Sequence, residues 1–371
     1  TEFKSSRLLL ESKSEIFFPK YITSTALESS LSSQEVQCPE VNLLVINNCV
    51  VSGSCSSFIL NELLFIEQFG TGCTNNHNYS SGGLISHNNS FAVVKQKELN
   101  YIDSGFYLGG NGSWNYYHWL IEILPKLEYY LSRGLHSKGV PLLLPSIVEH
   151  NTNFKFLLDS ILGTDFDNIN YIPSEFCTVV RNLYHVTPVN NILFNERILG
   201  LELSTLFIRF ESLSYLVSSI ERYVGDVSIK SETPERIFLA RNNSLARSYN
   251  QNELIKYLLT KGFEVVHTED LDIKQQVSLF RNAKYIVGPS GASWANLLFC
   301  NPDNKCKALS WLPETIRTFP AFSTLAKFSG VELAFFQTSS DDAKNFHGKY
   351  QVDIETFKSS IEAMLEIRNV N

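Results

Sequence analysis

Two arginines, a glycine-rich turn and a histidine–glutamate pair are the residues of this 371-residue chain whose types and spacing could do chemistry. Arg241 and Arg247 follow the apolar run Arg236-Ile-Phe-Leu-Ala240. An arginine fork donates paired, charge-assisted hydrogen bonds to a phosphate and stays protonated at any working pH. Two of them after one strand could hold a diphosphate and stabilise it as a leaving group. On spacing alone the same pair could equally bridge surface acids such as Glu235 or Glu253. The second feature is Gly288-Pro-Ser-Gly-Ala-Ser-Trp-Ala-Asn296, directly after the apolar Tyr285-Ile-Val287. It reads as strand, tight turn and helix. The first N–H groups of such a helix have no intrahelical partner and attract anions. Ser290 offers a hydroxyl there, and Gly291 and Ala292 leave room for close approach. Turns of this kind often only connect a strand to a helix; the two arginines on a neighbouring strand give this one weight.

The third feature is Asn115-x-x-His118-Trp119-x-x-Glu122-x-x-Pro125. Residues four apart are neighbours on one helix face. Leu120, Leu124, Leu127 and Leu131 form the stripe such a helix should bury. At about 100° per residue, His118 and Glu122 point away from it. An imidazole oriented by a carboxylate could serve as general base for a hydroxyl. The plain alternative is a local hydrogen bond for His118, with Glu122 paired to Lys126. His267 ends an expected strand, where it could face a ligand or cap the next turn. Trp294 could stack on a base or sugar, or fill the core. Asp341 and Asp342 read as a solvated loop. His77, His87, His136, His150, His185 and His347 show no metal-ligand spacing.

These residues need a frame. From 236 onward the chain alternates strand and helix. Strands are expected at 236–241, 263–267, 284–288, 306–311 and 332–337, and helices at 250–261, 272–283, 292–299 and 315–329. Such alternation implies a parallel sheet with right-handed crossovers. Asn250 with Glu253, and Asp272 with Gln275, have N-cap spacing. The first half reads as strands within 42–66 and at 91–95 and 105–109, a helix at 115–132 kinked by Pro125, a strand at 141–144, a helix at 153–162, strands near 169–172 and 182–186, and a helical region at 195–224. Residues 1–35 read as irregular and 70–90 as a loop. Gly225–Pro234 is the best linker. The expected division is 1–228, 229–351, and a final helix in 352–371 that packs back on the first domain.

Apolar residues make up 44% of the chain and charged ones 19%, as in ordinary globular proteins. A net charge of −7 argues against a nucleic-acid surface. No apolar run approaches the roughly 18 residues needed to cross a bilayer. Seven cysteines without a C-x-x-C pair read as buried free thiols in a reducing compartment rather than zinc ligands or disulfides. Asn78, Asn88, Asn111 and Asn242 sit in N-x-S sequons, which arise easily by chance in such a sequence. The absence of an initiator Met is read as a piece of a longer protein, whose other parts could associate with a membrane surface.

The order of these features resembles the family 61 glycosyltransferases, over roughly residues 105–340 and most sharply over 236–300. That family shows an R-x5-R-like motif, an N-E-x-x-L helix, a G-F-x-V-V strand, a Q-x-x-L-F-x-x-A helix and a G-x-H-G-A-x-x-x-N-x-x-F turn. Here they stand as Arg241 and Arg247; Asn252-Glu253-Leu254; Gly262-Phe263-Glu264-Val265-Val266; Gln276, Phe280 and Ala283; and Gly288, Ser290-Gly291-Ala292, Asn296 and Phe299. The family's N-x-x-H-W-x-x-E-x-L-P element matches at His118 and Glu122. One departure stands out: Ser290 occupies the place of the family's usual His, and a hydroxyl can donate but cannot act as a cation or base. The resemblance implies a GT-B-like α/β fold, two Rossmann-like domains facing across a cleft. It implies inverting, metal-independent transfer from a nucleotide sugar, with a UDP-sugar the expected donor, to a glycan hydroxyl in surface polysaccharide or glycan biosynthesis. No cofactor is expected. His118 and Glu122 would be catalytic; Arg241, Arg247, Gln276, Ser290, Gly291, Ala292 and Asn296 would bind the donor. The expected location is a bacterial-type cytoplasm, with the lumen of the endoplasmic reticulum or Golgi as alternative. A non-catalytic nucleotide- or glycan-binding module is the alternative function; a nicotinamide dehydrogenase is disfavoured because no G-x-G-x-x-G follows a first strand.

Overall fold

The computed structural model describes residues 3–22, 32–66, 80–88, 90–192, 206–225, 233–242, 247–313, 318–338 and 349–366. His77, His347, Cys73, Asn78, Asp341 and Asp342 lie outside them. Two compact units emerge: Thr1–Glu15 with Glu35–Gly225, and Ile16–Gln34 with Asp226–Asn371. This division groups Ile16–Gln34 with the second unit, whereas the expected single boundary at 228/229 leaves it in the first. The N-terminal region expected to be irregular instead contains β1 (Phe3–Leu9), β2 (Ser12–Phe17), β3 (Lys20–Tyr21) and β4 (Ser33–Cys38). Its polar, Ser-rich composition hid short strands whose partners lie far away in sequence: β1 pairs with residues 41–46, and β3 with 334–335.

The first unit is built on a mixed sheet. An antiparallel meander, β5 (Val41–Val51), β6 (Phe58–Leu60) and β7 (Leu63–Phe65), forms one side. A small hairpin, β8 (Leu84–His87) and β9 (Ala92–Val94), lies within the expected loop and just after it. Then come β10 (Gln96–Tyr107), β11 (Leu142–Pro145), β12 (Ile169–Ile172) and β13 (Phe176–Val186). The sheet order is β12-β11-β10-β13-β5-β6-β7, and its first four strands are mutually parallel. β10 runs to β11 and β12 in one direction, and the chain then returns to place β13 on the other side of β10. The order thus reverses between β10 and β13. Buried Ile46, Val51, Tyr107, Leu143, Val180 and Leu183 make the core on this sheet.

The second unit carries β14 (Arg236–Leu239), β15 (Glu264–Val266), β16 (Tyr285–Val287), β17 (Lys307–Pro313) and β18 (Glu332–Thr338). They form a fully parallel sheet, β15-β14-β16-β17-β18-β3. Its order reverses between β14 and β16, where open parallel sheets bind ligands outside their carboxyl ends. Helices Gln251–Thr260 and Ile273–Asn282 fall where the periodicity places them. Asp272 and Gln275 form a complete capping box. Asn250 does not cap through its side chain, which instead binds the Val352 backbone twice, at 2.9 and 3.0 Å. The final helix, Ile354–Glu366, was expected on the first domain but packs on the second sheet. Its Phe357, Ile361 and Met364 join Phe238, Leu309, Trp311 and Phe336 in one core.

The six described cysteines are buried free thiols. Among the described residues, no helix is long and apolar enough to cross a membrane.

Candidate functional site

In the first unit, His118 and Glu122 sit beyond the carboxyl end of β10, in a helical run that changes pitch. Asn115 caps it, its side chain accepting from the Tyr117 N–H. One α turn, Tyr116–His118, widens to a π segment, Trp119–Ile123, and then tightens to a 3₁₀ turn at Leu124–Lys126, before α-helix resumes at Leu127–Ser132. Pro125, which has no N–H to give, falls in the tight turn. This resolves the expected kink as a change of pitch. The Leu120/Leu124/Leu127 stripe is fully buried, as its spacing requires. The opposite face is not open, though: Trp119, Ile121 and Ile123 are buried too. From Tyr117 to Leu127 only His118 and Glu122 escape full burial, with side chains 12% and 15% exposed.

The two side chains are bonded to each other, His118 Nδ1 to Glu122 Oε2. Lys126, the alternative partner for Glu122, takes no part in this contact. The other carboxylate oxygen, Oε1, accepts from the Ile192 N–H at 2.6 Å, just after β13. Glu122 is therefore held from two sides, at the strand-order reversal of the first sheet. With Nδ1 donating to the carboxylate, Nε2 becomes the ring nitrogen able to take a proton. Burial, with the nearby Glu122 charge second, pushes the Tyr117 hydroxyl well above its ordinary range and keeps it neutral. No spacing pattern pointed to Asn190. It is buried, and its Nδ2 donates to the Ile121 carbonyl at 2.7 Å and to Ser212 Oγ at 3.0 Å, tying the π segment to helix Phe210–Val224.

In the second unit, Arg241 follows β14 and the Gly288–Ala292 turn follows β16, on the two strands that flank the reversal. The Arg241 guanidinium joins them, Nη2 donating to the Ser290 carbonyl. Neither Glu235 nor Glu253 holds it: Glu235 pairs with Lys284, and Glu253 accepts from Asn250. Arg247 lies close enough for the two positive charges to be felt. Burial, and then the Arg241 charge, lower the Arg247 pKa to about 10. Its φ of 56° is left-handed, a rare conformation for a residue with a side chain. Arg241, Arg247, Tyr249, Gln251 and Lys256 line a cleft of about 440 Å³, a size common for small-molecule sites. Two adjacent, half-buried guanidinium groups in a cleft favour an anion.

The other predicted donor residues divide. Ser290 is nearly buried and engages Arg241 through its backbone carbonyl, while Gly291 and Ala292 are half-buried at the start of a 3₁₀ helix, Ala292–Phe299. Gly291 is extended rather than left-handed, and a Cβ there would find Arg241 Nη2 at an ordinary 3.6 Å. The glycine the packing requires is Gly288, whose added Cβ would lie 2.8 Å from Leu239 Cβ. Gln276 and Asn296 are buried, not lining: Gln276 Nε2 donates to the Thr268 and Leu271 carbonyls, and its Oε1 accepts from Asn296 Nδ2 at 2.8 Å. Both lie behind the turn, bonded to each other. Trp294 is wholly buried, its indole N–H donating to the Pro289 carbonyl at 2.8 Å. His267 follows β15 and precedes the 3₁₀ turn Thr268–Asp270, and its Nδ1 is buried without a hydrogen-bond partner among the described residues.

An α/β chain with an anion-favouring arginine cleft at one strand-order reversal, and an oriented imidazole at another, has the parts of a group-transfer enzyme. Residues 116–307, more than half the chain, match the Glycosyltransferase 61 family, and the chain belongs to it. It is a glycosyltransferase, and the family implies a sugar donor and a glycan acceptor. The matched range takes in both residue clusters. No curated protein matches the chain.

Proposed function

We propose that this glycosyltransferase uses a nucleotide sugar, a UDP-sugar by expectation, and transfers the sugar to a glycan hydroxyl with inversion at the anomeric carbon. The observation that carries this reading is the pairing of Arg241 and Arg247 at the reversal between β14 and β16. Their charges suit the diphosphate, neutralising it as it leaves. This charge stabilisation is supplied by side chains, so the proposed mechanism needs no metal. His118 takes the proton from the acceptor hydroxyl, oriented by Glu122, as the oxygen attacks the anomeric carbon and the bond to the diphosphate breaks. The proposed arrangement is GT-B-like, with the second unit holding the donor and the first presenting the acceptor. Surface polysaccharide or glycan assembly is the proposed setting.

Thermal shift with a panel of nucleoside diphosphates tests the donor assignment, because a ligand bound only by the folded state raises apparent stability by mass action. UDP should raise the midpoint of the wild-type protein, and much less that of Arg241→Ala. A panel in which no nucleotide moves the midpoint sinks the assignment. Hydrolysis or transfer of the matching nucleotide sugar then separates an enzyme of this kind from a module that only binds.

A further inference from the structure

The backbone of Arg241 lies just past the end of β14, where the ladder no longer serves it. The last sheet bond on this side is Ala240 N–H to the Val266 carbonyl, at 2.9 Å. One residue on, a side chain takes over. Gln251 Oε1 accepts from the Arg241 N–H at 2.8 Å, and Gln251 Nε2 donates to the Arg241 carbonyl at 2.9 Å. The carboxamide thus reproduces the two-point pairing that a neighbouring strand would give. Its orientation is itself determined. Tyr249 Oη donates to the same Oε1 at 2.8 Å, and an atom receiving two donors must be the oxygen. Tyr249 is in turn fixed by its ring, which stacks on Tyr350 at 5.3 Å and 11°. Tyr350 accepts from the Trp311 indole N–H at 3.0 Å. Gln251 is the first residue of helix Gln251–Thr260, so the pair of bonds also ties the arginine to a rigid element.

We infer that Gln251 is a positioning residue for the donor site: it fixes the backbone from which Arg241 reaches the anion, and Tyr249 holds Gln251 in the orientation that does so. This rests on the reading of Arg241 as a phosphate ligand. An arginine is effective only if its fork is already aimed, since aiming it after binding costs side-chain entropy. Neither Gln251 nor Tyr249 needs to touch the ligand.

The test is a double-mutant cycle read by calorimetry with inorganic pyrophosphate, which reports on a diphosphate site whatever the base. Gln251→Leu should weaken binding about tenfold, corresponding to the loss of a well-aimed contact. Tyr249→Phe keeps the ring stack and removes only the hydroxyl, and should weaken binding about threefold, the low end for one neutral hydrogen bond. Both effects should vanish in an Arg241→Ala background, because they act through that side chain. A residue that merely stabilised the fold would leave affinity unchanged, and one that acted on binding independently of Arg241 would add its effect in either background. Should Gln251→Leu fail to fold, Tyr249→Phe carries the same comparison. The inference is overturned if Arg241→Ala weakens binding while the Gln251 and Tyr249 variants bind like wild type, or if their effects persist undiminished without Arg241. No binding of pyrophosphate by the wild-type protein overturns the phosphate reading itself and takes this inference with it.

Discussion

Arg241 donates through Nη2 to the backbone carbonyl of Ser290, and so joins the carboxyl ends of two adjacent parallel strands that are 46 residues apart in sequence at their nearest named ends, Leu239 and Tyr285. The sheet order reverses there, between β14 and β16, the place where open parallel sheets leave a crevice outside their carboxyl ends. The carbonyl occupies only part of the guanidinium's five donors. Replacing Arg241 or Arg247 by Ala should weaken nucleotide binding by about 1.5–3 kcal/mol, the range for hydrogen bonds to charged groups. Lysine should restore part of this, since it brings charge without the fork. Unchanged calorimetric affinity in both Ala variants removes the assignment.

Arg247 should also cost the unliganded protein stability. Its pKa is lowered to about 10 by burial and by the Arg241 charge. A cation with a depressed folded-state pKa is bound to its proton more weakly in the native than in the unfolded chain. The native state therefore carries a penalty at every pH below about 10, relieved only as pH rises through that value towards the ordinary arginine range. Arg247→Met, which keeps the aliphatic stem, should raise the thermal midpoint at neutral pH while lowering nucleotide affinity. A bound diphosphate should reverse the order of the two midpoints. If the Met variant melts lower without ligand, Arg247 is a structural residue first.

The turn offers a contrast between two glycines. Gly288→Ala would place a Cβ 2.8 Å from Leu239 Cβ and 3.2 Å from the Leu239 carbonyl, both on the strand that leads to Arg241. The clash should destabilise by about 1–3 kcal/mol, as overpacking does, and displace the arginine with it. Gly291→Ala meets nothing closer than 3.6 Å and should fold normally. Chemical denaturation of the two variants decides between them: equal stability would mean that the β14–β16 contact is looser than described.

Much of the second unit was legible from local pattern. Apolar runs alternating with 3.6-period segments located β14 to β18, and the Asp272/Gln275 spacing located a helix start that the structure builds as a full capping box. Arg241 and the Gly288 turn were singled out by residue type, and the structure brings them into contact. What periodicity cannot report is pairing over long sequence distance. Residues 16–34 looked irregular because β3 is two residues long and gains its place only beside β18. Nothing in spacing or residue type singled out Gln251; its contact with Arg241 depends on where the chain leaves β14 relative to the start of helix Gln251–Thr260. Gln276 and Asn296 were assigned to the ligand by resemblance, whereas burial shows them bonded to each other. The burial of Trp119, Ile121 and Ile123 beside His118 and Glu122 was not legible from a helical wheel, which assumes one pitch where the chain has a π segment at Trp119–Ile123.

Transfer should continue in excess EDTA. The proposed charge stabilisation comes from guanidinium groups that are in place before the donor arrives, which is the form in which electrostatic groups are most effective. Activity lost on chelation and restored by Mn²⁺ or Mg²⁺ would assign the leaving-group role to an ion and reduce the arginines to helpers.

His118 and Glu122 provide the sharpest test of the chemistry. Glu122 is fixed by two contacts, one to His118 Nδ1 and one to the Ile192 N–H at 2.6 Å, so the ring it holds has one defined orientation. If Nε2 takes the acceptor's proton, His118→Ala should depress turnover by about 10²–10⁴-fold, the usual worth of a general base, with donor binding near normal. Activity should fall on the acid side, because an imidazole that already carries two protons cannot accept another. Glu122→Gln keeps the shape but loses the charge that stabilises the protonated ring, and its single amide oxygen can accept from only one of His118 Nδ1 and the Ile192 N–H. It should lower turnover less than His118→Ala. Removing the carboxylate's charge makes the imidazolium less stable, so the acid limb of the profile should move to lower pH. Near-normal turnover in His118→Ala would make the pair a structural clamp between β10 and β13, and the base would have to be sought among other groups.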